Sequence, residues 1–420
     1  IGACTAFEMA KKGYRTLSID KLPEAGYGST SGSCAIIRTY YSAFETCAIA
    51  FEGWHYWKNW NEYIGVNDDF GMITYHDTGC LVMKTETNKQ LKIVRETMEQ
   101  IGCPFVDVPP EKISDYLPGS DLQTYHPAKR MDQEGFGEPT GSKINGAVFF
   151  PRGGYVNDPK LSAHNAQRAA EANGAEFKFN SEVKKIVHEN GRVVGVELSD
   201  GSYIETNIVV NIAGPHSSKI NEMAGVADTM KMSTRALRHE VAHVPAPEGF
   251  TMEKGVVSSD SDIHAYTRPE QGNHLLIGSE DPECDEREWV DDPDNFNTNL
   301  TDQCKTLAMR LGQRLPHLGI PDTSKGVVAL YDVSEDWMPI YDCSDLKGFY
   351  MACGTSGNQY KNAPVAGKIM TEIIEACESG HDHDADPVKF HLEHIDKEIS
   401  LGFCSRNREI NMNSSFSVIG

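Results

Sequence analysis

Two hydrophobic periodicities alternate along the chain. Small and apolar residues cluster through 1–13 (Gly2, Ala3, Ala6, Phe7, Met9, Ala10) and the run stops at Gly13, which predicts a helix. The segment 14–20 then reads as a short strand ending in Asp20. An aromatic amphipathic helix is predicted over 51–60 and a strand over 76–84. Farther on, the pattern predicts a helix over 160–173 with alanines on one face and strands at 177–180 and 183–188. A hairpin of 192–198 and 202–206, turned by Asp200-Gly201, comes next, and then a buried strand over 208–212. Strands are expected at 238–244 and 274–278 in an acidic surround, and a strand over 348–354 runs into a glycine-rich turn and a helix over 363–377.

Strands alternating with helices at both ends, and strand-rich acidic stretches between, predict an α/β architecture that is α+β overall. A Rossmann-like domain is expected to be interleaved with a mixed antiparallel-sheet domain. The changes of composition place the first in 1–45, 146–230 and 326–376, its first strand missing, and the second in 46–145 and 231–325. Residues 377–420 are left as a C-terminal extension with no assigned role.

Charge and cysteine content narrow the function classes. The 420 residues carry 39 Lys plus Arg against 61 Asp plus Glu, a net charge of −22, which excludes a polyanion binder because phosphate neutralisation needs a basic face. No apolar run reaches the ~18 residues a membrane helix needs. Eleven cysteines stand without a CxxC pair or zinc-like spacing. That usage fits a reducing compartment, so a cytoplasmic location is expected, the mitochondrial matrix being the alternative because the sequence does not start at Met. The alternating His381–Asp386 cluster reads as a solvated polar tail, and no metal is expected.

Four segments carry candidate chemistry. Helix, glycine, strand and acid, with Gly2 and Asp20 18 residues apart, make the second half of a βαβ nucleotide-binding unit, Lys21 standing beside the acid. Residues 28–38 gather Gly28, Ser29, Thr30 and further hydroxyls into a loop that ends at Arg38 and offers N–H groups to an anion. The strand over 208–212 delivers Ala213-Gly214, where a missing Cβ allows close ligand approach. The turn Gly354-Thr-Ser-Gly-Asn-Gln-Tyr-Lys361 again opens a helix N-terminus toward an anion or an electron-rich ring. Two such turns in one chain imply one large bent cofactor.

In this order of motifs the chain resembles the D-amino-acid-oxidase-like flavoproteins, and within them the sarcosine oxidases and dimethylglycine dehydrogenases. The resemblance implies dissociable FAD, with Asp20 and Lys21 at the ribose, Ser29 and Thr30 near the phosphates and Val183 at the adenine. Gly354, Ser356 and Gly357 are implied at the isoalloxazine end. It further implies that Arg38 and Lys361 clamp a substrate carboxylate while Tyr331 and Tyr266 line the cavity; His239 and His216 are weaker candidates for contact. The positions that tether flavin covalently in parts of the family are here Ser31 or Gly32 and Ala329. Where oxygen-reactive members carry a lysine, this chain has Leu276, which implies a dehydrogenase with an acceptor protein or quinone rather than oxygen. The expected reaction is oxidation of the C–N bond of a small N-methyl or secondary amino acid, hydride passing to flavin N5 and water hydrolysing the imine. An oxidase of another amino or imino acid, or a non-catalytic flavin-binding accessory protein, stands as the alternative. Without the first strand and two phosphate-loop glycines, weak FAD binding by the sequence as given is expected.

Overall fold

A computed structural model of the chain describes residues 1–419. The small-residue helix forms as Gly2–Lys11, with Cys4 to Ala10 buried. It is covered by the helices Pro159–Ala172 and Ala363–Glu378. The second crossing is backbone against backbone, since a Cβ on Gly367 would lie 2.8 Å from the Cys4 carbonyl. The first strand is shorter than its pattern, Leu17–Ile19 rather than 14–20, because only these residues find a partner, Glu176–Lys178, in a parallel pair. Val209–Asn211 runs parallel to Phe349–Cys353, which pairs antiparallel with Ile340–Cys343. Parallel pairs joined through helices make this half α/β, and the antiparallel strands Val183–Glu189, Arg192–Leu198 and Tyr203–Glu205 flank it.

The other half is a nine-stranded mixed sheet built around the long strand Thr234–Pro245. Gly326–Ser334 pairs with one edge of that strand, and Glu288–Val290 and His274–Ser279 share the other. The sheet continues through Ala265–Glu270, Val257–Asp260, Cys80–Met83, Ala147–Phe150 and Val106–Val108. It thus recruits strands on both sides of the boundaries drawn at 145/146 and 325/326. The strand expected over 76–84 is two pieces, Tyr75–His76 and Cys80–Met83, because Gly79 between them takes φ +75° against the Phe149 ring.

Each sheet face has its own cover, as the period of two requires. Ala242, Val244, Ala265, Leu275 and Ile277 pack against the helix Asp302–Arg314. Residues directly opposite in register share the other face: Tyr266 with Gly278, Arg268 with Leu276, His239 with Ala329, and Leu237 with Tyr331. That face turns toward the loop 28–38.

The aromatic helix is longer than its pattern, Phe44–Lys58, and is followed by a short helix Trp60–Ile64. The C-terminal residues are folded onto the body. Lys389–Leu392 and Lys397–Ser400 form a hairpin, and His383, expected in solvent, is 3% exposed, its Nδ1 accepting from the Val388 N–H. Among the described residues no helix is long and apolar enough to cross a membrane.

Candidate functional site

The strand Ile36–Ile37 carries the loop 28–38 into the interior and leaves Arg38 8% exposed. Its guanidinium sits 4.2 Å from the centroid of the Tyr41 ring and donates one hydrogen bond, to the Val418 carbonyl at 2.8 Å. Lys361 arrives from the other end of the sequence and is 2% exposed. Its Nζ lies 4.6 Å from the same Tyr41 ring and donates to the Asn358 carbonyl. Lys361 is held by its own main chain: the Trp57 indole donates to its carbonyl at 2.6 Å, and Gly53 leaves room for that oxygen. Trp57 is in turn stacked between Trp60 and Tyr360.

Among the described residues no carboxylate comes within ion-pair range of either cation. Burial, and then repulsion from Arg38, push the Lys361 ammonium well below its ordinary range. Two buried like charges without an anion are costly, and an electron-rich ring offsets only part of that. Tyr41 has no special pattern in the sequence; its one signal is its place three residues after Arg38. Glu280 is a second residue the sequence did not single out. It is 2% exposed, its Oε1 accepts from the Ser259 hydroxyl, and burial pushes its carboxyl up to about 8.

Tyr266 and Tyr331 meet on the sheet face that looks at the loop. The Tyr266 hydroxyl lies 3.9 Å from Cys34 Sγ, and its ring covers Gly278 so closely that a Cβ there would be 2.1 Å away. Tyr331 lies against Gly357, where a Cβ would be 2.5 Å from its ring, and stacks on His239 at 4.1 Å. His239 Nε2 is 3.5 Å from Asp281, and its imidazole is held neutral chiefly by burial. The turn bearing Gly354 (φ +62°), Ser356 (φ +48°) and Gly357 (φ +70°) is locked to the strand Gly326–Ser334. There Asp332 accepts the Gly354 N–H on its carboxylate and the Ser356 N–H on its carbonyl, each at 2.6 Å. Burial raises the Asp332 carboxyl to about 7, and its Oδ1 has no partner.

The remaining expected residues lie along the α/β half. Asp20 ends its strand in the open, its carboxylate accepting the Leu22 N–H at 2.9 Å. Lys21 is bonded to His216 at 3.0 Å and paired with Asp294, which pulls Asp294 down to about 2. Val183 packs in one apolar cluster with Ile19, just before Asp20. Ala213 and Gly214 (φ +56°) open a 3-10 turn after Val209–Asn211. Gly28, Ser29 and Thr30 form an exposed turn pinned to the large sheet by Ser29 Oγ, which donates to the Leu330 carbonyl at 2.7 Å. A Cβ on Gly32 would come within 2.9 Å of Ala329 Cβ, so the two tether positions adjoin. Gly2 makes no close approach; a Cβ there would meet only Ile212 at 4.0 Å.

These residues fit a bent dinucleotide. An open acid and a hydroxyl turn lie at one end. At the other, Tyr266 and Tyr331, whose rings lie on Gly278 and Gly357, stand near an orphaned buried carboxyl oxygen of Asp332 and two cations without an ion-pair partner among the described residues. A metal is a poorer fit. Asp342, Cys343 and Asp384 bring ligand atoms within 4.8 Å of one another, but the Arg406 guanidinium lies among them, at 3.1 Å from Asp342 and 2.7 Å from Asp384.

Comparisons with known proteins agree with this reading of the fold. Over 378 residues the chain is 23% identical to sarcosine oxidase subunit beta of Rhodobacter capsulatus, covering 89% of the chain and 82% of that protein. It is 28% identical over 289 residues to mitochondrial sarcosine dehydrogenase of Homo sapiens, covering 66% of the chain and 29% of that longer protein. A crystal structure of L-proline dehydrogenase from P. horikoshii superposes with a TM-score of 0.73 at 21% identity, covering 91% of each chain. Residues 1–373 match the family model described as DAO, FAD dependent oxidoreductase. The chain therefore belongs to the DAO family of FAD-dependent oxidoreductases.

Proposed function

We propose that the protein oxidises the C–N bond of a small N-methyl or secondary amino acid, of the sarcosine or dimethylglycine kind. The observation that carries this is the buried pair Arg38 and Lys361, which share the Tyr41 ring and lack an anion among the described residues. A substrate carboxylate supplies the missing charge. Arg38 gives it a planar, two-pronged donor and Lys361 a point charge, and the two fix the direction in which the substrate amine points. Tyr266, Tyr331 and His239 line the far side and exclude water. In such surroundings desolvation favours the neutral amine, and the nearby carboxyls of Glu280 and Asp332 are themselves pushed toward their neutral forms by burial, so no protein base is needed. FAD bound here would supply the two-electron acceptor for oxidation of the C–N bond, and the imine product would be hydrolysed by water.

The named relatives that act on sarcosine and on L-proline support a secondary amine as substrate. We read FAD as dissociable, because Ser31, Gly32 and Ala329 offer no nucleophile able to tether it. Leu276 lies on the same sheet face as Tyr266, and the guanidinium opposite it in register, Arg268, is already engaged by Glu270 at 2.8 Å and by the Cys34 and Pro269 carbonyls, which leaves it less able to stabilise developing superoxide and favours a dehydrogenase handing electrons to a protein or quinone. Eleven free cysteines fit a reducing compartment, cytoplasm or mitochondrial matrix.

Anaerobic mixing of the FAD-loaded protein with sarcosine, dimethylglycine, proline and D-alanine tests this. Bleaching of the flavin absorbance by one of the first two is expected, with slow re-oxidation in air. Bleaching by D-alanine alone assigns a primary amino acid, and no bleaching by any of them assigns an accessory role.

A further inference from the structure

The chain beyond Arg408 reaches the proposed substrate site at Val418. Arg406 is fully buried among Asp342, Asp345 and Asp384, and Arg408 grips Asp336 at 2.7 and 3.0 Å. These two arginines anchor the segment to the body. After them the holds are lighter. Apart from the Asn411 N–H on Asp336, they are mostly side chains of the body donating to carbonyls of the segment: Gln90 to Asn413, Arg287 to Phe416, and Arg38 to Val418. The Val418 side chain packs with Leu237, Val333 and Trp337, beside Tyr266 and Tyr331.

Between this strap and the body lies a small cavity of about 10 Å³, room for about one water molecule. Asn411 and Ser414 form its outer wall, and Tyr41, Thr46, Asn358 and Gln359 line its inner one. The Tyr41 hydroxyl and Thr46 Oγ1 are buried and have no hydrogen-bond partner. Unpaired buried hydroxyls beside a cavity of that size are groups that one small polar molecule would satisfy.

We propose that residues 411–418 are a wall of the substrate site, and that the Val418 carbonyl occupies on Arg38 the seat of the substrate carboxylate. This rests on the reading of Arg38 and Lys361 as a carboxylate clamp. A neutral carbonyl satisfies a buried guanidinium at rest, and a carboxylate, which brings a full opposite charge and can take two parallel N–H donors, displaces it. The strap thereby selects for anionic ligands: a neutral methylamine of the same size has nothing with which to take Arg38 from Val418. The cost is a lower apparent affinity, set by how often the strap is down.

Acetate is a suitable probe, because it carries the carboxylate and no reactive C–N bond. Acetate binding to the FAD-loaded protein is measured by calorimetry, and amide hydrogen exchange over 411–418 is followed with and without it. Faster exchange at 414–418 on acetate addition is expected, and the response is lost in Arg38→Gln. A chain ended after Glu409, which keeps both arginine anchors, is expected to bind acetate about tenfold tighter if the strap is down ten times as often as up. Val418→Ser, which loosens the strap and keeps its carbonyl, is expected to tighten binding in the same direction. Acetate binding that leaves exchange at 414–418 unchanged, with no gain in either variant, overturns the competition and leaves the clamp standing. Failure of acetate to bind any of the three chains overturns the clamp, and the strap proposal falls with it.

Discussion

Arg38 and Lys361 lie 323 positions apart in sequence and share one ring, so each raises the cost of the other until an anion arrives. Because burial and Arg38 depress the free Lys361 ammonium, a bound carboxylate must raise its proton affinity. Ligand binding therefore takes up a proton, and affinity falls as pH rises. Calorimetry of acetate in two buffers of different ionisation enthalpy reads this uptake directly, and Lys361→Met is expected to abolish it. Arg38→Met is expected to cost about 2 kcal/mol of carboxylate binding, roughly thirtyfold in KM. Glu280 gives a separate test. Burial raises its carboxyl from 4.5 to about 8, against the opposing pull of the Ser259 hydrogen bond. The folded state thus holds a proton that the unfolded state has released between those values, and stability declines as pH rises through that window. Glu280→Gln removes the slope. Urea unfolding at pH 5 and pH 8 is expected to show the parent losing on the order of 3–4 kcal/mol more than the variant.

At the level of elements, the lysine is positioned by a helix that the sequence placed in the other domain. Phe44–Lys58 brings Gly53 and Trp57 to the Lys361 carbonyl, and a Cβ at position 53 would sit 2.9 Å from that oxygen. Gly53→Ala gains about 0.5–1 kcal/mol of helix propensity in isolation. Here it is expected to push the turn Tyr360–Asn362 away, raising KM about tenfold with little loss of melting temperature, which separates positioning from folding. The two faces of the nine-stranded sheet show what alternation can tell. Once the register is known, Tyr266, Leu276 and Tyr331 fall on one face by the period of two. Register itself is decided by partners distant in the chain, so the sequence pattern alone could not assign them to that face. The helix Asp302–Arg314 has a local start signal, Thr301, whose hydroxyl accepts the Gln303 N–H at 3.2 Å, and Glu240, 64 residues away, adds to it by accepting the Cys304 N–H at 3.0 Å.

Over the whole molecule, the C-terminal residues tie the two halves together. Arg406 is fully buried and serves Asp342, itself fully buried, while Arg408 holds Asp336. Arg406→Leu leaves the Asp342 carboxylate without its partner, and a loss of about 3–5 kcal/mol is expected by urea denaturation. The histidine and acidic cluster at 381–386 was expected in solvent because its composition is polar. His381, Asp382, Asp384 and Asp386 are exposed as expected and only His383 is buried; Asp384 is paired with the Arg406 guanidinium, a contact no local window contains.

The sequence by itself determined the α/β start and the two glycine-rich turns, because helix periodicity, turn chemistry and motif spacing are local properties of the chain; Arg38 and Lys361 were singled out by the family resemblance. It also determined the FAD family, through the order of those motifs. Only the tertiary structure decided that both cations meet at Tyr41, that Glu280 and Asp332 are buried carboxyls, and that the C-terminal strap reaches Arg38. Each of these depends on desolvation and on neighbours hundreds of residues apart, and burial is a property that no stretch of sequence carries until the chain has folded around it.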